Sequence, residues 1–126
     1  MRNIQFRAWN KVSKVMHTDA INNCKDSFDM VLKHPQIYEV MQYTGIKDKN
    51  GVEIYEGDIL SIIWENNKGK DKNVVVEWSY YDDGEYVDNV ECWMAGTNPI
   101  SNCKTENLEI IGNIYKNPDL LKETLK

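Results

Sequence analysis

The sequence predicts a mostly β protein: a small antiparallel β-barrel with one short C-terminal helix. Three observations carry this. Apolar and polar residues alternate with a period of two over most of the chain, the spacing of half-buried strands. Two glycine-bearing turns, Asp48-Lys49-Asn50-Gly51 and Glu56-Gly57-Asp58, stand before the run Ile59-Leu60-Ser61-Ile62-Ile63-Trp64. Asn117-Pro118-Asp119 then has the form of a helix start, with Asn as cap, Pro at the first helical position and an acid at the positive end of the dipole.

Taken in order, Ile4, Phe6 and Ala8 share one face of a first strand. Asn10 to Lys14 reads as the turn, and Val15-Met16-His17 as the returning strand. Asp26 to Leu32 suits a short helical turn capped by Asp26 or Ser27 and ended by His34-Pro35. Ile37 to Tyr43 resumes as strand and pairs, around Asn50-Gly51, with Val52 to Tyr55. Asn-Gly tolerates successive positive φ angles, so Gly51 is expected at positive φ and Gly57 in a tight turn.

Ile59 to Trp64 is dominated by β-branched and aromatic residues, as suits a central strand. Asn66 to Asn73 reads as a hydrophilic hairpin loop, with Val74 to Trp78 as its partner strand. Asp82-Asp83-Gly84 marks a further turn, Tyr86 to Met94 a strand, and Ala95 to Lys104 a loop. Leu108 to Tyr115 is the last strand, and Gly112 inside it signals a bulge or bend. The tail from Pro118 is too short to be helical alone in water. Leu120, Leu121 and Leu125 must therefore dock on the barrel or on a second copy, and the reading tilts to the second copy.

At 126 residues the chain is expected to be one domain, 1–126, with 41% apolar and 28% charged residues. No apolar run suits a signal peptide or a membrane span, so a cytoplasmic protein without membrane attachment is expected. Cys24, Cys92 and Cys103 are widely spaced and odd in number, which suits reduced thiols.

The net charge of −5 is unevenly placed. Asn73 to Cys103 contains no Lys or Arg but six acids, Glu77, Asp82, Asp83, Glu85, Asp88 and Glu91; the remainder, 15 basic against 14 acidic residues, is +1. Such a segment repels DNA and attracts basic surfaces, so binding to double-stranded DNA is not expected. A solvated loop and strand face is the simpler account of it, and a contact surface for a basic partner the sharper one. Tyr80, Tyr81 and Tyr86 flank the acidic turn as amphipathic rings. The candidate partner-binding set is therefore Tyr80, Tyr81, Asp82, Asp83, Glu85, Tyr86, Asp88 and Glu91.

No constellation of residues indicates catalysis. His17 and His34 are the only histidines. Cys24–His17 and Cys92–His34 dyads are conceivable, yet no nucleophile elbow surrounds either cysteine. Asp48 to Gly51 shares residues with a calcium loop but lacks its alternating acids and terminal Glu. Gly69-Lys70 lacks the upstream glycine of a phosphate loop and is followed by Asp71. No enzyme activity, metal or cofactor is expected.

Ile4-Gln5-Phe6-Arg7-Ala8-Trp9, Met41 to Leu60, and Leu108 to Tyr115 with Asn117-Pro118-Asp119-Leu120-Leu121 together resemble the YopX-like proteins of phage and prophage genomes of Gram-positive bacteria. The resemblance implies the small β-barrel and a phage or prophage origin, and it supplies no catalytic residue. The expected role is a non-enzymatic interaction module that self-associates and engages a host or phage protein. An acidic DNA mimic and a small nucleic-acid enzyme are the alternatives.

Overall fold

The computed structural model describes residues 5–18, 25–63, 70–81, 90–96 and 98–124. The chain opens on a hairpin of β1 (Phe6–Asn10) and β2 (Val15–His17). Its turn is built by Asn10, whose Oδ1 accepts the N–H groups of Val12 at 2.9 Å and Ser13 at 3.0 Å. Lys14 closes the turn at φ 60° and donates its N–H to the Asn10 carbonyl. A short amide side chain that mimics backbone is what makes Asn a turn residue.

Helix α1 (Lys25–Lys33) follows, with Lys33 in the last turn, where the dipole favours a cation. It starts earlier than the sequence suggests, so Asp26 and Ser27 lie inside it rather than at its cap. His34 and Pro35 end it as expected. Phe28 and Val31 face β1: Phe28 stacks on Phe6 at 5.1 Å, and Val31 packs with Ala8, Tyr38 and Val40.

β3 (Tyr38–Lys47) runs antiparallel to β1 in the register Arg7↔Met41 and Ala8↔Val40, and β4 (Glu53–Tyr55) pairs with β3, giving the order β2-β1-β3-β4. This sheet is covered on both faces. Phe6, Ala8 and Val40 face the helix, whereas Arg7, Trp9 and Met41 face the rest of the molecule and are buried.

The second sheet contains β5 (Asp58–Ile63), β6 (Lys70–Tyr81), β7 (Val90–Ala95), β8 (Asn98–Pro99) and β9 (Leu108–Asn113), in the order β8-β7-β6-β5-β9. All its pairings are antiparallel. It curls into a half-barrel around Leu60, Ile62, Val76, Ala95 and Leu108. Two residues from outside complete that core: Ile100, from a 3-10 turn, and Ile54, which β4 inserts from the other sheet. The expected barrel is thus met as two antiparallel sheets, one of them curled, with a short helix at the end.

Several boundaries move. Lys70 to Asn73, expected in a loop, belong to β6, because Asp71 and Lys70 pair with Ile62 and Ile63. Ladder hydrogen bonds outweigh the polar side chains there. The cost appears as a register shift between Leu60 and Ile62, with Asn73 at φ 59°, an angle Asn tolerates. The expected bulge near Gly112 is present: Ile59 pairs with Gly112 but Leu60 with Ile110, leaving Ile111 over. A Cβ on Gly112 would lie 2.6 Å from Asn117 Oδ1, so the glycine also makes room for that side chain. Asn117 Oδ1 accepts the Asn113 N–H at 3.1 Å. Helix α2 (Asp119–Thr124) then packs beside β6 of its own chain, with Leu120 and Leu121 half-buried. Trp64, the turn at Asp82 to Gly84 and Leu125 lie outside the described residues.

Candidate functional site

Among the described residues, two clusters combine charge with aromatic rings. One lies at the seam between the sheets; the other lies along the β6–β7 ribbon.

The seam is built by the two glycine-bearing turns. Gly51 takes φ 79° and Gly57 φ 87°, so both need the conformational freedom of glycine. Asn50 is not at positive φ, and the turn is wider than a two-residue Asn-Gly hairpin. The Asp48 N–H donates to the Val52 carbonyl at 2.8 Å, and the Asp48 carboxylate gathers the loop. Its Oδ1 accepts the N–H groups of Asn50 and Val52, and its Oδ2 accepts that of Ile110 in β9 at 3.1 Å. Lys49 N–H reaches the Leu108 carbonyl at 2.8 Å, so the hairpin tip is fastened to the edge of the second sheet. Burial raises the Asp48 pKa, but the N–H groups of Ile110, Val52 and Asn50, with the Lys49 charge, outweigh it and hold the carboxyl below its ordinary range.

The second turn presents Asp58, which is 2% exposed, to Arg7, which is 8% exposed. Arg7 Nη2 donates to Asp58 Oδ1 at 2.7 Å and to the Glu56 carbonyl at 3.3 Å. Asp58 Oδ2 accepts the Tyr55 N–H at 2.8 Å, and the guanidinium lies 4.8 Å above the Tyr55 ring. Burial pushes the Asp58 carboxyl above its ordinary range, opposed by Arg7 and by the Tyr55 N–H. Gly57 completes the joint by donating to the Val76 carbonyl and accepting from Ile114. The sequence drew attention to these turns but not to Arg7. The only available signal was a cation at an alternating position of the first strand motif.

The ribbon is arranged differently. Val76↔Ala95, Trp78↔Trp93 and Tyr80↔Glu91 are opposed pairs, and alternation puts all three on one face. Val76 and Ala95 belong to the half-barrel core. Trp78 is 49% exposed and meets Trp93 edge-on at 5.0 Å; Tyr80 is 61% exposed. One strand face thus passes from core to solvent over four residues. The Tyr80 hydroxyl donates to the Glu91 carboxylate, and that bond raises the tyrosine pKa. Glu77 and Glu91 are exposed.

Of the predicted partner-binding set, the structure therefore brings Tyr80 and Glu91 together. The Tyr81 backbone pairs with Val90, and its side chain lies outside what the structure describes. Asp82, Asp83, Glu85, Tyr86 and Asp88 lie outside the described residues. Trp78, which the sequence reading placed only at the end of a strand, joins the set; Trp9, 4% exposed, is core and stacks on Tyr115.

For the conceivable dyads, His17 meets the Tyr38 ring edge-on, and the Cys92 thiol donates to the Met94 sulfur at 3.5 Å. Cys24 lies outside the described residues. Among the described residues no three His, Cys, Asp or Glu side chains converge as a metal site would require, and no helix is long and apolar enough to cross a membrane.

Comparison with known proteins agrees with this architecture. The family model described as YopX protein matches residues 5–122. The crystal structure of protein EF1440 from Enterococcus faecalis is similar, with a TM-score of 0.57 and 27% sequence identity over 96% of this chain and 99% of that one. No curated protein matches.

Proposed function

The chain belongs to the YopX family, and from that premise we propose that it is a phage- or prophage-encoded, cytoplasmic interaction protein without catalytic activity. It binds a basic protein partner, of host or phage origin, through the β6–β7 ribbon, and it acts as a homo-oligomer.

The observation that carries this reading is the ribbon face itself. Trp78 and Tyr80 project large apolar surface into solvent beside Glu91, and Glu77 is exposed on the other face of the strand. Aromatic anchors ringed by polar groups are the composition of interface hot spots. The sign of the charge selects the partner, since no Lys or Arg occurs from Asn73 to Cys103. Stacking on single-stranded nucleic acid would require the same rings within a positive groove.

The test compares the parent protein with the Trp78→Ala, Tyr80→Ala double variant as bait in extracts of the host, followed by titration with the purified partner. A basic protein that binds the parent directly, and binds the folded variant at least tenfold more weakly, supports the reading. Equal binding by both removes the ribbon from the function. A captured DNA-binding protein that DNA displaces from the bait makes the chain a DNA mimic instead.

A further inference from the structure

The ribbon contains the parts of an arrangement that the seam shows complete. At the seam the Arg7 guanidinium lies 4.8 Å above the Tyr55 ring and meets the Asp58 carboxylate at 2.7 Å, so a ring and an acid hold one cation together. On the ribbon, register and alternation put Trp78, Trp93, Tyr80 and Glu91 on one face, with Glu91 directly across from Tyr80 and diagonal to Trp78. The rings and the acid are in place; a cation is missing. Ion pairs among the described residues join Arg7 to Asp58, Lys11 to Glu39 and Lys49 to Glu109, and none of them reaches Glu91.

These groups are open to solvent. Trp78 is 49% exposed and Tyr80 61%, and Glu91 is exposed too. An edge-on pair uses one face of only one ring, so the contact with Trp93 leaves at least one face of Trp78 unused. The Tyr80 hydroxyl takes one of about four acceptor positions on the Glu91 carboxylate.

We propose that this face seats an arginine side chain of the basic partner, its guanidinium flat on Trp78 and its N–H edge on Glu91. Arginine suits the seat better than lysine. A planar, weakly hydrated guanidinium can stack on a ring and donate sideways to a carboxylate at once, whereas an ammonium is a compact and strongly hydrated charge. A second copy of this chain does not suit the seat, because from Asn73 to Cys103 the chain has six acids and no cation to offer. Assigning the arginine to the partner rests on the ribbon being the docking face.

The test titrates the isotope-labelled protein, at constant ionic strength, with acetyl-Gly-Arg-Gly-amide and with its lysine and citrulline twins. The expected result is saturable shifts of the Trp78 indole N–H and of the amides of residues 78, 80 and 91 with the arginine peptide. Binding should be about threefold or more weaker with lysine, and weaker still with citrulline, which keeps the shape without the charge. Trp78→Leu should abolish the shifts at residues 80 and 91, and Glu91→Gln, which leaves the rings alone, should weaken binding about threefold or more. No saturable shift with the arginine peptide, equal binding of the three peptides, or undiminished binding by folded Glu91→Gln overturns the proposal. The Trp78→Ala, Tyr80→Ala bait tests the docking face separately. Capture lost by that variant, with no preference for the arginine peptide, overturns the seat and leaves the ribbon as the docking face. Capture retained by it, with arginine still preferred, overturns the ribbon as the docking face and with it the partner's arginine.

Discussion

The seam and the ribbon use similar residues to opposite ends. At the seam, Arg7, Asp48 and Asp58 are charged and almost wholly buried, and their oxygens are spent on backbone N–H groups and on one guanidinium. On the ribbon, Trp78 and Tyr80 are apolar and largely exposed, and beyond Trp93 and Glu91 they face solvent. Buried charge is tolerable where it is paired, and exposed aromatic surface contributes little to the fold. The seam should therefore control stability and the ribbon should not. Substitutions that probe this contrast differ in size by nearly an order of magnitude.

The largest effect belongs to Asp58→Ala. It strands the Arg7 guanidinium in a buried site and also frees the Tyr55 N–H, so a loss of about 3–5 kcal/mol is expected in urea unfolding. The paired replacement Arg7→Met, Asp58→Leu should cost less than Asp58→Ala alone, because no unpaired charge remains. If the single substitution proves as mild as the pair, the seam is not held by this ion pair.

Asp48→Asn comes next. A carboxamide cannot accept from Asn50, Val52 and Ile110 together, because its NH2 end confronts an N–H, and about 1.5–3 kcal/mol should be lost at pH 7. The loss should depend on pH. The folded Asp48 pKa lies below the unfolded value of about 3.9, so its contribution is whole above that pH and drains away as the pH falls through the folded value. Parent and variant should thus converge in stability below about pH 4. A constant difference down to pH 2.5, well under that ~3.9 reference, would mean that the loop depends on side-chain shape rather than on the charge.

Gly51→Val isolates backbone strain. No atom lies within 4 Å of where its Cβ would sit, so the penalty comes from φ 79° alone. A β-branched residue there should cost about 1–2 kcal/mol, read as a lowered melting temperature. An unchanged melt would show that the turn relaxes into another conformation.

These residues also mark how far the sequence could be read. The turns at Asp48 to Gly51 and Glu56 to Asp58 were legible because turn chemistry is local: a positive φ needs glycine, and an acid that accepts from its own loop needs only neighbours. The same acids' distant bonds were not. Asp58 meets Arg7 from 51 positions away and Asp48 meets Ile110 from 62, and nothing in a two-residue alternation names the far partner. Alternation also tells that Phe6 and Ala8 share a face but not that the Arg7 face is covered too, since that depends on the second sheet. Likewise Trp78 continues the pattern of Val74 and Val76 without a break. Only the length of β6 relative to its core shows that the face has left the interior by residue 78.

The smallest expected effect is therefore the most telling. Tyr80→Ala should change stability by less than about 0.5 kcal/mol, as exposed positions do. Trp78→Ala should cost about 0.5–1.5 kcal/mol, the worth of its edge-on contact with Trp93. Both are measurable against Asp58→Ala in the same urea series. A loss from Trp78→Ala that rivals the seam variant would mean that this tryptophan completes the core, and the contrast between the two regions would collapse. Losses within the expected range leave a tryptophan and a tyrosine held in solvent by strands that scarcely need them, as the proposed partner-binding face requires.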